Sequence, residues 1–133
     1  MRYILDAGPM IALLNAEQGA AVVRQILIEN PGECFAHALN LAELYYIFLR
    51  RGGESAAENA LDDLIRAGIT IRDDFDIAFW KDAAAFKGRY SIALPDGFCL
   101  ALAKRLGGSA VTTDHAEFDP LLPLNIVPIV FVR

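Results

Sequence analysis

The chain has 133 residues, 55% of them hydrophobic and 22% charged, with a net charge of −5 and a mean hydropathy of +0.35. That length suits one domain, residues 1–133, whose core stands without disulfides or a structural metal. The acidic balance excludes a general nucleic-acid coat protein, which needs broad phosphate neutralisation; it does not exclude a nuclease whose acids hold cations.

The N-terminal stretch does not read as a secretory leader. Arg2 is offset by Asp6, Gly8-Pro9 interrupts the apolar run, and no basic segment precedes it. No apolar run reaches membrane-spanning length, so the expectation is a cytoplasmic protein with no membrane contact. Cys34 and Cys99 lie in apolar surroundings without metal-ligand spacing and read as buried, reduced thiols. The surplus of apolar residues points to a covered surface, and hence to a homodimer or a hydrophobic partner.

Residues 2–5 form a short strand ending in Asp6, and Ala7-Gly8-Pro9 turns into a helix over about 10–16. A second amphipathic helix runs over about 20–29 and closes at Asn30-Pro31-Gly32. An apolar strand over 33–38 follows. Asn40 then opens a helix with Glu43 three residues on, the spacing of a capping box, and Arg50-Arg51-Gly52-Gly53 ends it. The next helix, over 54–67, turns Ala57, Ala60, Leu61, Leu64 and Ile65 inward and leaves Asp62 and Asp63 in solvent. A brief strand over 69–71 leads to Asp73, Asp74 and Asp76, the densest acidic run, which reads as the capped start of a helix over about 77–87. Pro95 and Asp96 start an apolar helix stopped by Gly107-Gly108. A β-prone strand over 109–113 delivers Asp114, and a Pro-containing edge strand over 127–132 closes the chain. Strands alternating with helices predict an α/β fold: a small, mostly parallel sheet with helices on both faces, three layers in all.

In such a layer, strand ends and the following helix starts share one rim. Asp6 and Asp114 end strands, and Glu43 and Asp96 begin helices. Each alone has an explanation as a cap; together they would repel one another unless a cation neutralised them. Oxygen-only ligands suit Mg²⁺ or Mn²⁺, one ion or two, and the chemistry expected is metal-assisted attack of water on a phosphodiester.

The segments LDAGPMIALL, NLAELYY, LPDGFCLALAKRLG and AVTTDHAEF, in this order, resemble the successive motifs of PIN-domain ribonucleases, most closely the VapC-like toxins of toxin–antitoxin pairs. The resemblance implies a PIN-like fold and an acidic Mg²⁺/Mn²⁺ site cutting RNA, with Asp6, Glu43, Asp96 and Asp114 as the catalytic, metal-holding acids. It further implies a supporting hydroxyl at Thr112, a supporting polar residue at Asn40, a cognate antitoxin and a homodimer. An inhibitor's Arg or Lys could occupy the acidic crevice, and the helices after Gly19 and Gly53 could supply the apolar contacts. Where the family often has Ser or Thr after its first acid, this chain has Ala7. Lys87, Arg89, Lys104 and Arg105 flank the rim as candidate RNA phosphate contacts. His37 is read as a packed or hydrogen-bonded residue; His115, beside Asp114, is not expected to act as a general base, since metal-bound water needs no histidine; and Asp119, followed by Pro120, is read as a turn residue. Two other readings compete. A non-catalytic PIN-like binding module would not need four acids. A phospho-receiver or phosphatase would need a lysine beside a lone aspartate, and none precedes Lys81.

Overall fold

Five strands and six helices alternate along residues 1–133, all of which the computed structural model describes. The strands are β1 (Tyr3–Leu5), β2 (Cys34–His37), β3 (Thr70–Arg72), β4 (Ser109–Thr112) and β5 (Ile129–Phe131). The helices are α1 (Ala7–Leu14), α2 (Ala20–Glu29), α3 (Ala38–Arg66), α4 (Ile77–Arg89), α5 (Leu94–Leu106) and α6 (His115–Phe118), the last running into a 3-10 segment, Asp119–Leu124. The strands form one sheet in the order β3-β2-β1-β4-β5, every neighbouring pair parallel. This is the expected three-layer α/β arrangement of a PIN-like fold.

The order of strands decides where a site can form. The chain builds outward from β1 to β3 on one side, then crosses to β4 and β5 on the other. The order therefore reverses between β1 and β4, and the crevice of an open parallel sheet lies beyond the strand ends at such a reversal. The residues that leave these two strands are Asp6 and, one residue past Thr113, Asp114.

Adjacent strand residues face opposite layers and so feed two cores. Ile4 and Ala110 pack with α4 and α5, through Phe79, Phe86, Phe98 and Leu102. Leu5 and Val111 pack with α1, α2 and α3, through Met10, Val23, Leu44 and Leu64. Both cysteines are buried and unpaired, and burial pushes the Cys34 thiol up to about 11. No helix is long and apolar enough to cross a membrane.

Several boundaries differ from the sequence expectations. Helix α1 starts at Ala7, not near Met10, because a proline in the first turn gives up only an N–H that has no partner within the helix. Helix α3 starts at Ala38, with His37 as its N-cap: His37 Nδ1 accepts from Leu39 N at 3.0 Å. That bond fixes the tautomer, so Nε2 carries the proton and donates to the Asp74 carbonyl at 2.9 Å. Asn40 and Glu43 therefore lie inside the helix, and the capping box assigned to them does not form. The break expected after Arg51 is a kink at Gly53, whose φ of 81° a residue with a Cβ would adopt only under strain. Ile65, expected inward, is 48% exposed, since the second arm of α3 buries only its Ala57, Ala60 and Leu64 face.

Candidate active site: an acidic crevice

Asp6 leaves β1 into the core and is only 5% exposed. Its Oδ1 accepts from Ala7 N at 2.8 Å and from Asn40 Nδ2 at 3.3 Å, and its Oδ2 accepts from Thr112 Oγ1 at 3.1 Å. The same Thr112 oxygen accepts from Asp114 N at 3.0 Å, so one hydroxyl ties the end of β1 to the end of β4. Asn40 ties a third element in. Besides Asp6, its Nδ2 donates to the Pro95 carbonyl at 3.1 Å, in the first turn of α5. Asn40 Oδ1 is buried without a partner.

Asp96 occupies the third position of α5 and is 6% exposed. Its Oδ2 accepts from Ala93 N at 3.2 Å, the returning half of a capping box; Ala93 has no side-chain oxygen with which to form the other half. Ala93 N also donates to Glu117 Oε2 at 3.3 Å, so one amide is shared by carboxylates from two elements. Glu117 N in turn donates to Asp114 Oδ1 at 3.0 Å, making Asp114 the cap of α6.

These bonds hold Asp6, Asp96, Asp114 and Glu117 around a single cavity of about 270 Å³ that Glu43, from α3, also lines, together with Gly8 and Thr113. Gly8 makes room there for the Thr113 hydroxyl: a Cβ built on it would fall 2.2 Å from Thr113 Oγ1, which would have to turn away. No Lys, Arg or His lines the cavity. The carboxyl groups register that deficit. Burial pushes Asp6 up to about 6, the Ala7 amide and Thr112 hydroxyl pull it part of the way back, and Glu43 and Asp114 add repulsion. Glu43 is raised as well, first by burial and then by Glu117.

All four acids expected from the sequence thus line one crevice, and the supporting residues Thr112 and Asn40 bond directly to Asp6. Glu117 was missed. Its signal was present as the Asp-x-x-Glu spacing that opens α6, which places a glutamate in the first turn beside Asp114. Asp73, Asp74 and Asp76 are absent from the crevice, but not because they cap α4: the Asp76 carboxylate makes no cap bond. Asp74 and Asp76 instead pair with Arg105, and Asp74 also with Arg72. The Arg72 and Arg105 bonds hold the Asp74 carboxyl down at about 2, against a smaller effect of burial.

The candidate phosphate contacts differ in what already engages them. Arg105 spends its guanidinium on Asp76 and Asp74, Lys104 stands 3.6 Å from Asp82, and Lys87 donates to the Ile92 carbonyl at 3.1 Å; Arg89 is exposed. His115, exposed, stacks on Phe131 and bonds to Asp119 and to the Arg133 carbonyl, outside the crevice.

Oxygen donors alone, with no cation of the protein's own among them, are the donor set that Mg²⁺ or Mn²⁺ takes. No three of the side chains close on a common point as a ready-made metal cage. The fit is therefore one of donor chemistry, charge deficit and an unpartnered Asn40 Oδ1 behind the crevice.

The PIN domain family model matches residues 3–119, and the chain belongs to this family. Its fold is that of VapC toxins. VapBC2 from Rickettsia felis, bound to a DNA fragment from its promoter, superposes with a TM-score of 0.75 at 17% identity, covering 98% of each chain. DNA-bound VapBC from Salmonella typhimurium gives 0.74 at 16% identity, covering 100% of this chain and 99% of that one. VapC20 from Mycobacterium tuberculosis, a sarcin–ricin loop cleaving toxin, gives 0.71 at 16% identity, covering 89% and 94%. No curated protein sequence matches.

Proposed function

We propose that this chain is a Mg²⁺- or Mn²⁺-dependent endoribonuclease and the toxin of a toxin–antitoxin pair, acting in the cytoplasm as a homodimer. The observation that carries this reading is the convergence of five carboxylates from β1, α3, α5, β4 and α6 on a crevice without a cation of its own. Membership of the PIN family and the likeness in fold to a toxin that cleaves the sarcin–ricin loop support it.

Asp6, Glu43, Asp96, Asp114 and Glu117 would hold the divalent ion. When bound, it would supply Lewis-acid polarisation of a phosphodiester oxygen and a more acidic water. The protein's own contribution is orientation. Thr112 and Asn40 fix the Asp6 carboxylate by donating to its two oxygens, and the Ala93 amide holds Asp96 and Glu117 side by side. Because these bonds exist before any substrate arrives, the acids lose little freedom on binding.

The VapBC structures suggest a cognate antitoxin as the inhibitor. A tail that places an Arg or Lys among the acids would compete with Mn²⁺ and weaken as salt rises. Calorimetric titration at several Mn²⁺ and salt concentrations checks this; indifference to both would restrict the antitoxin to apolar surface.

Incubating the purified chain with single-stranded RNA, with and without Mn²⁺, tests the reading, beside Asp96→Asn. Cleavage that requires Mn²⁺ and falls about 100-fold in the variant, equivalent to ~3 kcal/mol of lost transition-state stabilisation, is the expected outcome. Equal cleavage by both proteins would dismiss the crevice as the catalytic centre.

A further inference from the structure

A second concavity, of about 230 Å³, opens beside the acidic crevice, and Glu43 lines both. The other walls of this neighbour are Leu39, Ala42, Tyr46, Leu94 and Pro95. Two chain segments make the spaces contiguous. On α3, Glu43 and Ile47 face the crevice, while Tyr46, one turn beyond Glu43, faces the pocket. At the entry to α5, Ala93 and Asp96 line the crevice, and Leu94 and Pro95 between them line the pocket.

The two spaces differ in chemistry. Apart from Glu43 and the tyrosine hydroxyl, the pocket offers no polar side chain. Tyr46 and Leu94 leave it open, at 43% and 42% exposure. Arg50, one turn past Tyr46, holds its guanidinium 4.9 Å from the centre of the tyrosine ring, so the aromatic wall carries a cation.

We propose that this pocket receives one unpaired nucleobase of an RNA strand whose adjoining phosphate lies at the acidic crevice, an inference that rests on the nuclease reading above. Three observations favour a base as the occupant. The pocket abuts the carboxylates, as a site for the nucleotide next to a scissile phosphate must. Its walls are an aromatic ring and apolar side chains, which suit the π-face common to every base and leave few polar groups to read a base edge. Finally, a chain of net charge −5 whose Arg105 is committed to aspartates needs a grip on RNA that does not depend on phosphate contacts alone. A stacked base with Arg50 beside it provides one. The pocket accordingly selects unstacked strands and discriminates weakly among bases.

The test is single-turnover cleavage, with Mn²⁺, of a single-stranded RNA whose cut step has been mapped. Substrates carry an abasic nucleotide at either position flanking that step. An abasic residue at one of the two positions should slow the wild type about 10-fold, the scale of one lost base–aromatic stack. Tyr46→Ala should slow the intact substrate by a similar factor and lose its sensitivity to the abasic position, whereas Tyr46→Phe should keep both rate and sensitivity. Leu94→Trp, which fills the pocket from the opposite wall, should repeat the pattern of Tyr46→Ala. Wild-type rates and wild-type abasic sensitivity in Tyr46→Ala and Leu94→Trp would overturn the base pocket and leave the nuclease reading intact. A wild type that cuts no RNA would overturn both. Variants that cut normally but release a co-purifying protein inhibitor would assign the pocket to a protein side chain, and so overturn the proposal.

Discussion

Two groups of acids stand beyond the carboxyl ends of the strands, and they differ in what faces them. Asp74 and Asp76, past β3 at the sheet edge, are met by Arg72 and Arg105. Asp6, Glu43, Asp96, Asp114 and Glu117, at the reversal between β1 and β4, are met by backbone amides, an asparagine and a threonine, but by no cation. The first group is the denser in sequence, yet its charge is already compensated, and the Asp74 carboxyl sits at about 2. The second is scattered over more than a hundred residues, and its most buried member is pushed up to about 6. A cluster of acids therefore indicates a cation site by the compensation it lacks, not by its density.

The contrast can be broken most sharply with metal. Mn²⁺ at 100 times its dissociation constant should stabilise the wild type by about 2.7 kcal/mol, through binding to the folded state alone. Asp6→Asn and Asp114→Asn should shrink that gain, and Asp74→Asn should leave it unchanged, all three read as thermal shifts. A Mn²⁺ response that survived Asp6→Asn but vanished in Asp74→Asn would invert the assignment.

Stability in the absence of metal separates the groups next. Asp74→Asn should cost ~1–2 kcal/mol, the scale of charge-assisted bonds discounted for the exposure of both arginines. Because Asp74 titrates lower in the folded state than in the unfolded, this contribution is in place above the unfolded value of ~3.9 and is lost as pH falls through about 2. Urea midpoints measured from pH 2 to pH 6 should converge for wild type and variant at the acid end.

The smallest effect has the opposite sign. Asp6 titrates higher in the folded state, so its ionised form weighs against the metal-free fold: stability from this group declines as pH rises through the unfolded value of ~3.9 to about 6, and stays low above it. Asp6→Asn removes that penalty but loses part of the bonding to Ala7, Thr112 and Asn40. A net gain of ~1 kcal/mol or less is expected in chelator at pH 7.5. A loss of ~1 kcal/mol would make Asp6 a cap first and a ligand second.

Much of this was legible in the chain itself. Short β-prone runs ending in acids gave the sheet and two of the site residues, and Pro95 and Asp96 marked the start of α5. What was hidden depended on distant partners. Nothing local shows that His37, rather than Asn40, caps α3, because the choice is settled by His37 reaching Asp74 across 37 residues. Nor does the sequence show that Arg105 is occupied, since Asp76 lies 29 residues away, just before another helix. Glu117 escaped because its spacing to Asp114 reads equally well as a capping pair: its amide does donate to the Asp114 cap, while its side chain lines the crevice.

Asn40 has one more consequence, for the moment at which the centre comes into being. Its amide joins residues 34 and 55 positions away, and Thr112 closes on Asp6 over a separation of 106. Contacts of such span form late, because each closes a long loop before it is rewarded. During synthesis Thr112, Asp114 and Glu117 are made more than a hundred residues after Asp6. A nascent or truncated chain ending before β4 therefore carries three of the acids and no assembled crevice. The crevice is thus complete only after β4 and α6 have docked on β1 and α5, late in the folding of the domain.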